Sequence, residues 1–155
     1  MTDPAVRLTD LDPAEIPALV RMWRTSFEHG VGIVDPHPIE AQIDYFERTV
    51  RPACQVHVAR CGGERVGFLA CKPDTVTQLY VHVEHLGRGI GTLLLDRAKQ
   101  DSGGSLWLHT FARNRRARRF YESRGFRAVK FGFEPLWQLD DVRYEWVSGV
   151  SIGPL

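Results

Sequence analysis

The sequence predicts an α/β domain whose sheet is antiparallel at its ends, and three observations carry that reading. Apolar residues recur at helical spacing in some segments and at alternate positions in others. The two kinds of segment follow the order β-α-α-β-β-β-α-β-α-β-β. Glycine pairs and prolines fall between them, with Gly62-Gly63 turning a hairpin inside the three-strand run. At 155 residues the chain has room for one domain with a proper core, spanning residues 1–155, and not for two.

Val6-Arg7-Leu8 starts the first strand. Asp12-Pro13-Ala14-Glu15 has the form of a helix start, with a capping Asp, Pro at the first position and Glu three residues on. Ile16, Leu19, Val20, Trp23 and Phe27 follow on one helical face, and Gly30 is expected to end it. Residues 30–38, GVGIVDPHP, read as loop. Ile39, Ile43, Phe46 and Val50 mark a second amphipathic helix, stopped at Pro52. Val56 and Val58 then alternate, Gly62-Gly63 turn the chain, and Val66 to Cys71 return. After the Lys72-Pro73-Asp74 turn, Leu79, Val81 and Val83 alternate along a strand over 77–83. Leu93, Leu94, Leu95 and Ala98 form the buried face of the next helix, broken by Gly103-Gly104. SLWLHTF (105–111) is a strand, and Asn114 to Arg124 a short helix. FRAVKF and DVRYEWV (141–147) are the last two strands.

Composition narrows the function classes. The chain is 43% hydrophobic and 25% charged with a formal net charge of +1, a balance that suits neither a general nucleic-acid binder nor a membrane binder. Seven arginines lie between Arg113 and Arg127, but no aromatic stacking pattern accompanies them, and Glu122 is spaced to pair with Arg118 or Arg119 on a solvated helix face. Cys54, Cys61 and Cys71 form no CxxC pair, and MTDPAVRLTD has neither the basic start nor the apolar stretch of an export signal. Reduced thiols in the cytoplasm are therefore expected. The closest histidines, His82 and His85, have no thiol partner nearby, so no metal site is expected.

Gly87, Gly89 and Gly91 stand at alternate positions between a strand-like run and a helix-like run. At such a junction the first helical N–H groups lack partners and the dipole is positive, so anions bind there. Spacing excludes two anions. Counting from Gly87 the sixth position is Thr92 and from Gly89 it is Leu94, so the dinucleotide pattern GxGxxG fails. A P-loop fails as well, because the chain contains no Gly-Lys pair.

The run Leu86-Gly87-Arg88-Gly89-Ile90-Gly91, after the strand LYVH (79–82), instead resembles the acetyl-CoA-binding motif of the GCN5-related N-acetyltransferases, Gln/Arg-x-x-Gly-x-Gly/Ala. Leu86 replaces the usual Gln or Arg, and Val83 replaces a frequent Pro. A second segment, NRRARRFYESRGF (114–126), matches that family's N-x-x-A-x-x-F-Y-x-x-x-G-F at Asn114, Ala117, Phe120, Tyr121, Gly125 and Phe126.

The resemblance implies a fold and a set of roles. The fold is a central mixed, mostly antiparallel sheet with about four helices and a splayed parallel strand pair, here 77–83 and 105–111. Backbone groups of Val81 and Val83 are expected to pair with the pantetheine arm of acetyl-CoA. Amides of Gly87, Arg88, Gly89, Ile90, Gly91 and Thr92 are expected to cradle its pyrophosphate, and Asn114 to hold the arm from the other side. The implied reaction is direct attack of an amine on the acetyl thioester, with Tyr121 as general acid to the departing thiolate and the Val81 region supplying an N–H to the oxyanion. Some family members place Glu or His at positions corresponding to Thr75 or Thr77, where this chain has neither acid nor imidazole. The general base is thus left unassigned among Glu84, His82, His109 and a water relay to Asp74 or a helix carboxylate. Trp23, Phe27, His29 and Trp137 are the expected acceptor lining, with Asp35, Glu134, Asp140 and Asp141 as candidates to draw in a cationic amine. The acceptor expected is a small-molecule amine. A protein acetyltransferase and a non-catalytic acyl-CoA sensor stay open beside it, and the resemblance also allows a homodimer through the final strands.

Overall fold

The computed structural model describes residues 5–149. Strand β1 (Val6–Asp10) leads through a 3-10 turn into helix α1 (Ile16–Val31). Helix α2 (Ile39–Tyr45) runs on through a π turn (Phe46–Val50) into the single turn α3 (Arg51–Ala53). Strands β2 (Gln55–Cys61), β3 (Glu64–Cys71) and β4 (Val76–Val81) follow, then α4 (Ile90–Asp101), β5 (Ser105–Phe111), α5 (Arg115–Ser123), β6 (Arg127–Glu134) and β7 (Leu139–Val147).

The strands form two antiparallel sheets, β1-β2-β3-β4 and β5-β7-β6. Among the described residues a single parallel bridge, Thr75 to Trp107, joins them. Just past that bridge the β3–β4 register shifts, leaving Thr77 as an extra residue between Val76 and Gln78. A bulge of this kind bends and twists its strand, and here it turns β4 away from β5.

Two apolar clusters sandwich the first sheet. On one face Ile90, Leu94, Leu95 and Ala98 of α4 pack with Leu69, Val81, Leu106, Leu108, Val142 and Tyr144, so this cluster spans both sheets. On the other, Ile16, Leu19 and Val20 of α1 meet Phe46, Val50, Val58, Phe68 and Ala70. The element order and the fold class are those expected.

Several expected boundaries differ, each for a local reason. Gly30 lies inside α1, where a Cβ would meet Asn114 Nδ2 at 2.7 Å; the helix ends instead at Gly32, whose φ of +77° is the left-handed cap conformation. Pro52 lies within α3 rather than stopping its rod, and the wider π turn upstream loosens the ladder at carbonyls that proline has no N–H to serve. Strand β4 ends at Val81, and Val83 belongs to a 3-10 turn that His82 Nδ1 caps by accepting from Glu84 N–H at 3.1 Å. Leu93 is exposed, because Ile90, Leu94 and Ala98 already set the buried stripe of α4. Strands β6 and β7 extend toward each other beyond their expected ends at Phe131 and Asp141.

Candidate active site

Where β4 and β5 touch, Trp107 N–H donates to the Asp74 carbonyl at 2.9 Å, and Thr75 Oγ1 donates to the Trp107 carbonyl at 2.8 Å. Beyond the Thr77 bulge the strands diverge into a V. His82 N–H donates to Val66 O at 2.8 Å and Tyr80 pairs with Phe68. By antiparallel alternation, the N–H groups of Leu79 and Val81 therefore point away from β3, into the V. The Val81 carbonyl accepts from Ser26 Oγ of α1 at 2.9 Å. A cavity of about 630 Å³ fills this opening, with Leu79, Tyr80 and Val81 on one wall and Asn114, Phe120 and Tyr121 on the other.

The three glycines do different work. Gly87 and Gly89 have φ of +76° and +84°, and a Cβ on Gly89 would meet no protein atom within 4 Å. Gly89 caps α4, so the free N–H groups of the first helical turn open beside it. Gly91 is helical, and a Cβ there would come 3.2 Å from Phe120 Cζ; its bareness lets α5 approach α4. Leu86, at the motif's irregular first position, packs against the core. Arg116, Arg119 and Arg124 of α5 and its following turn line the same cavity with His85, which suits an anionic ligand. Ile90 and Thr92 also line it, whereas the exposed Arg88 side chain lies 3.5 Å from His85 Nδ1, and Val83 is not part of the lining.

Asn114 caps α5: its Oδ1 accepts from Ala117 N–H at 3.1 Å while its Nδ2 faces Gly30. Tyr121 is buried against Phe120, Phe126 and Tyr144, with ring centroids 5.2, 5.5 and 6.2 Å away. Burial raises its pKa well above the ordinary tyrosine value, and the nearby Tyr80 adds to the shift. The phenol is thus a proton donor throughout the neutral range. Sequence spacing paired Glu122 with Arg118 or Arg119. Instead Tyr144 stands between them, donating from its hydroxyl to Glu122 Oε2 at 2.5 Å and accepting from Arg118 Nε at 3.1 Å. This link to β7 fixes the helix that carries Tyr121, and only the long-range fold reveals it.

On the α1 face, Trp23 packs against Tyr45, Phe46 and Tyr80, and Phe27 against Phe111 and Trp137. Phe27 and Trp137 are brought together at 5.0 Å between ring centroids, and His37 stands edge-on to the same indole at 5.2 Å. His29 does not join them; it lines the large cavity beside Ser26 and Gly30. Of the acidic candidates, Asp35 is buried between Arg24 and His37, and Glu134 accepts from Trp137 N–H at 2.6 Å. Asp141 leans over Gly132, where a Cβ would lie 2.8 Å from its Oδ1. Thr75 spends its hydroxyl on Trp107, and His109 stacks edge-on to Trp107.

The family model described as "Acetyltransferase (GNAT) family" matches residues 16–126. No curated protein matches the sequence. Among solved structures, a GCN5-related N-acetyltransferase from Rhodopseudomonas palustris is similar at 22% identity, covering 95% of this chain and 98% of that one with a TM-score of 0.77. An acetyltransferase from Thermus thermophilus is similar at 25% identity, covering 95% and 99%, TM-score 0.75. The PaiA N-acetyltransferase of Thermoplasma acidophilum, solved with coenzyme A, is similar at 17% identity, covering 92% and 99%, TM-score 0.72.

Proposed function

This chain belongs to the acetyltransferase (GNAT) family, and from that premise we propose that it is a single-domain, cytoplasmic N-acetyltransferase that moves acetyl from acetyl-CoA to the primary amine of a small molecule. The observation that carries the reading is the V between β4 and β5. Its outward N–H groups at Leu79 and Val81 lead to a helix N-terminus flanked by left-handed glycines and arginines.

Each part suits one portion of the donor. The free edge of β4 accepts an amide-bearing arm as a further strand would. The first turn of α4 and Gly89 take a pyrophosphate, with room where a side chain would stand. Acetyl-CoA supplies the activated acyl group as a thioester. Holding it in line with the amine can contribute roughly 7–11 kcal/mol of the barrier. As the N–C bond forms and the C–S bond breaks, an N–H from Leu79 or Val81 steadies the charge on the carbonyl oxygen. Tyr121 gives its proton to the sulfur and is reprotonated from solvent, and the amine's surplus proton leaves to water.

The test is release of free thiol when the protein is mixed with acetyl-CoA and a panel of primary amines, read beside CoA titration of wild type and Gly89→Glu. Amine-dependent thiol release is expected, together with loss of CoA binding in the variant. CoA binding without any amine-dependent release would replace the enzyme with a sensor. Undiminished affinity in Gly89→Glu would remove the phosphate cradle.

A further inference from the structure

A second cavity, of about 370 Å³, lies between α1, the β2–β3 hairpin and the turn after β4, and it shares no lining residue with the V. Part of its lining is apolar, with Ala18 and the buried Met22 of α1 and Val83 of the turn. The rest is polar, with Arg21 and Thr25 of α1, Glu64 and Arg65 of the hairpin, and His82. Ser26 marks the divide, donating to the Val81 carbonyl at 2.9 Å. Thr25 and His82 line the small cavity, whereas their chain neighbours Ser26 and Val81 line the large one.

What this cavity offers is mostly hydrogen-bond donors. Among the described residues, Arg21 and Thr25 have no hydrogen-bond or ion-pair partner. Arg65 commits its Nη1 to Glu15 at 2.9 Å, and a guanidinium has further N–H groups to give. His82 Nδ1 accepts from Glu84 N–H at 3.1 Å, so the neutral ring carries its proton on Nε2, as a donor. Glu64 is the one carboxylate in the lining, and its Oε1 lies 3.7 Å from His85 Nε2. Arg21 and Arg65 therefore leave the lining with a surplus of positive charge. An exposed arginine alone is ordinary. Two guanidiniums, an imidazole N–H and a hydroxyl around an apolar patch in one concavity have the make-up of a ligand site. Planar guanidiniums match a carboxylate, and the apolar patch matches a body attached to it.

We propose that this cavity is a second ligand site, for a small organic carboxylate whose head meets Arg21, Arg65 and His82 and whose apolar body lies against Ala18, Met22 and Val83. The site is separate from the donor V and goes beyond the N-acetyltransferase reading.

The experiment uses the full chain loaded with CoA, so that the helix N-terminus beside Gly89 already holds its anion. Backbone amides are followed by NMR during titration with phenylacetate, phenylacetamide and inorganic phosphate. Phenylacetate should shift the amides of Arg21, Thr25, Arg65 and His82 saturably, and phenylacetamide should leave them in place. Arg21→Met keeps a straight helix-forming side chain and removes the charge. It should melt with wild type and bind CoA equally well, yet bind phenylacetate about tenfold more weakly, the size of one lost hydrogen bond to a charged group. Thr25→Glu sets a carboxylate in the lining and should abolish phenylacetate binding. Unchanged phenylacetate affinity in either variant overturns the site. Equal binding of phenylacetamide overturns the anion class, and tighter binding of inorganic phosphate overturns the apolar body. Shifts confined to Gly87–Thr92, or no saturable shift at all, overturn the whole proposal. Failure of CoA to bind would tell against the donor reading alone, because phenylacetate titrated into the free chain still reads Arg21 and His82 apart from Gly87–Thr92.

Discussion

Gly30 sits inside α1, where alanine ordinarily improves a helix by about 1 kcal/mol. Here the added methyl would meet Asn114 Nδ2 at 2.7 Å and push on the side chain that caps α5. A displaced N-cap costs about 1 kcal/mol, so the usual gain is cancelled and the helix carrying Tyr121 is disturbed. Gly30→Ala should therefore leave stability unchanged or lower while reducing turnover; a stabilised and fully active variant would show that Asn114 moves freely. Tyr121 itself permits a sharper test. General acid catalysis contributes about 10²–10⁴-fold, and Tyr121→Phe keeps the ring against Phe120, Phe126 and Tyr144. Turnover should fall within that range with CoA affinity nearly intact, whereas equal loss of both would make Tyr121 a core aromatic and no more. The pH sign follows from burial. The folded pKa is raised, so the proton-donating form persists past the ordinary tyrosine value of about 10, and wild-type turnover should show no Tyr121-dependent fall between pH 7 and 9.

The start of α1 separates what local sequence encodes from what it does not. Asp12-Pro13-Ala14-Glu15 read as a capped helix start, and Asp12 Oδ1 does accept from Ala14 N–H at 3.0 Å. Glu15 does not reach back. It takes a two-pronged hydrogen bond from Arg60, with Nη1 at 2.7 Å, and a further one from Arg65 at 2.9 Å, tying the helix to the β2–β3 hairpin. No local pattern announces partners so distant in the chain. For the same reason the glycine loop, the short helix after β5 and the alternating strands were legible, while the Tyr144 link, the Gly30–Asn114 contact and the Thr77 bulge were not. Each of those needs two segments brought together by the fold. The Glu15 clamp has a pH signature. Hydrogen bonding from Arg60 lowers the Glu15 pKa despite an opposing burial cost, so its stabilisation is complete above the unfolded carboxyl value of about 4.3 and fades as pH falls through the lowered folded value. Glu15→Gln should cost about 1 kcal/mol at pH 7, a modest figure because solvent screens part of the pair. The deficit should shrink toward pH 3 in urea titrations; a deficit that stays constant with pH would mean that the clamp acts by shape and not by charge.

At the scale of the molecule, the two sheets share one apolar cluster but, among the described residues, only one backbone bridge. Alternating periods in the sequence announced the strands and their order. They could not announce where the ladder stops, because that depends on one extra residue in β4 and on how α4 and α5 meet at Gly91 and Phe120. The consequence is thermodynamic. Among the described residues, the free edge of β4 and the first turn of α4 carry N–H groups that no bond within the fold takes up, so a donor lying in the V would complete hydrogen bonding left open there. Ligand that binds only the folded state stabilises it by RT ln(1 + [L]/Kd), about 2.7 kcal/mol at a hundredfold excess over Kd. In a chain of 155 residues that corresponds to a rise of about 5–10 °C in melting temperature. The gain should be local as well as global. In hydrogen-exchange measurements, CoA should slow the Leu79 and Val81 amides and those from Gly87 to Thr92, while β1, β2 and β6 keep their rates. Gly89→Glu should abolish both effects without lowering the melting temperature of the free protein by more than the strain at one exposed cap. Protection spread evenly over both sheets would instead mean that CoA tightens the shared core, and the V would then not be where its arm lies.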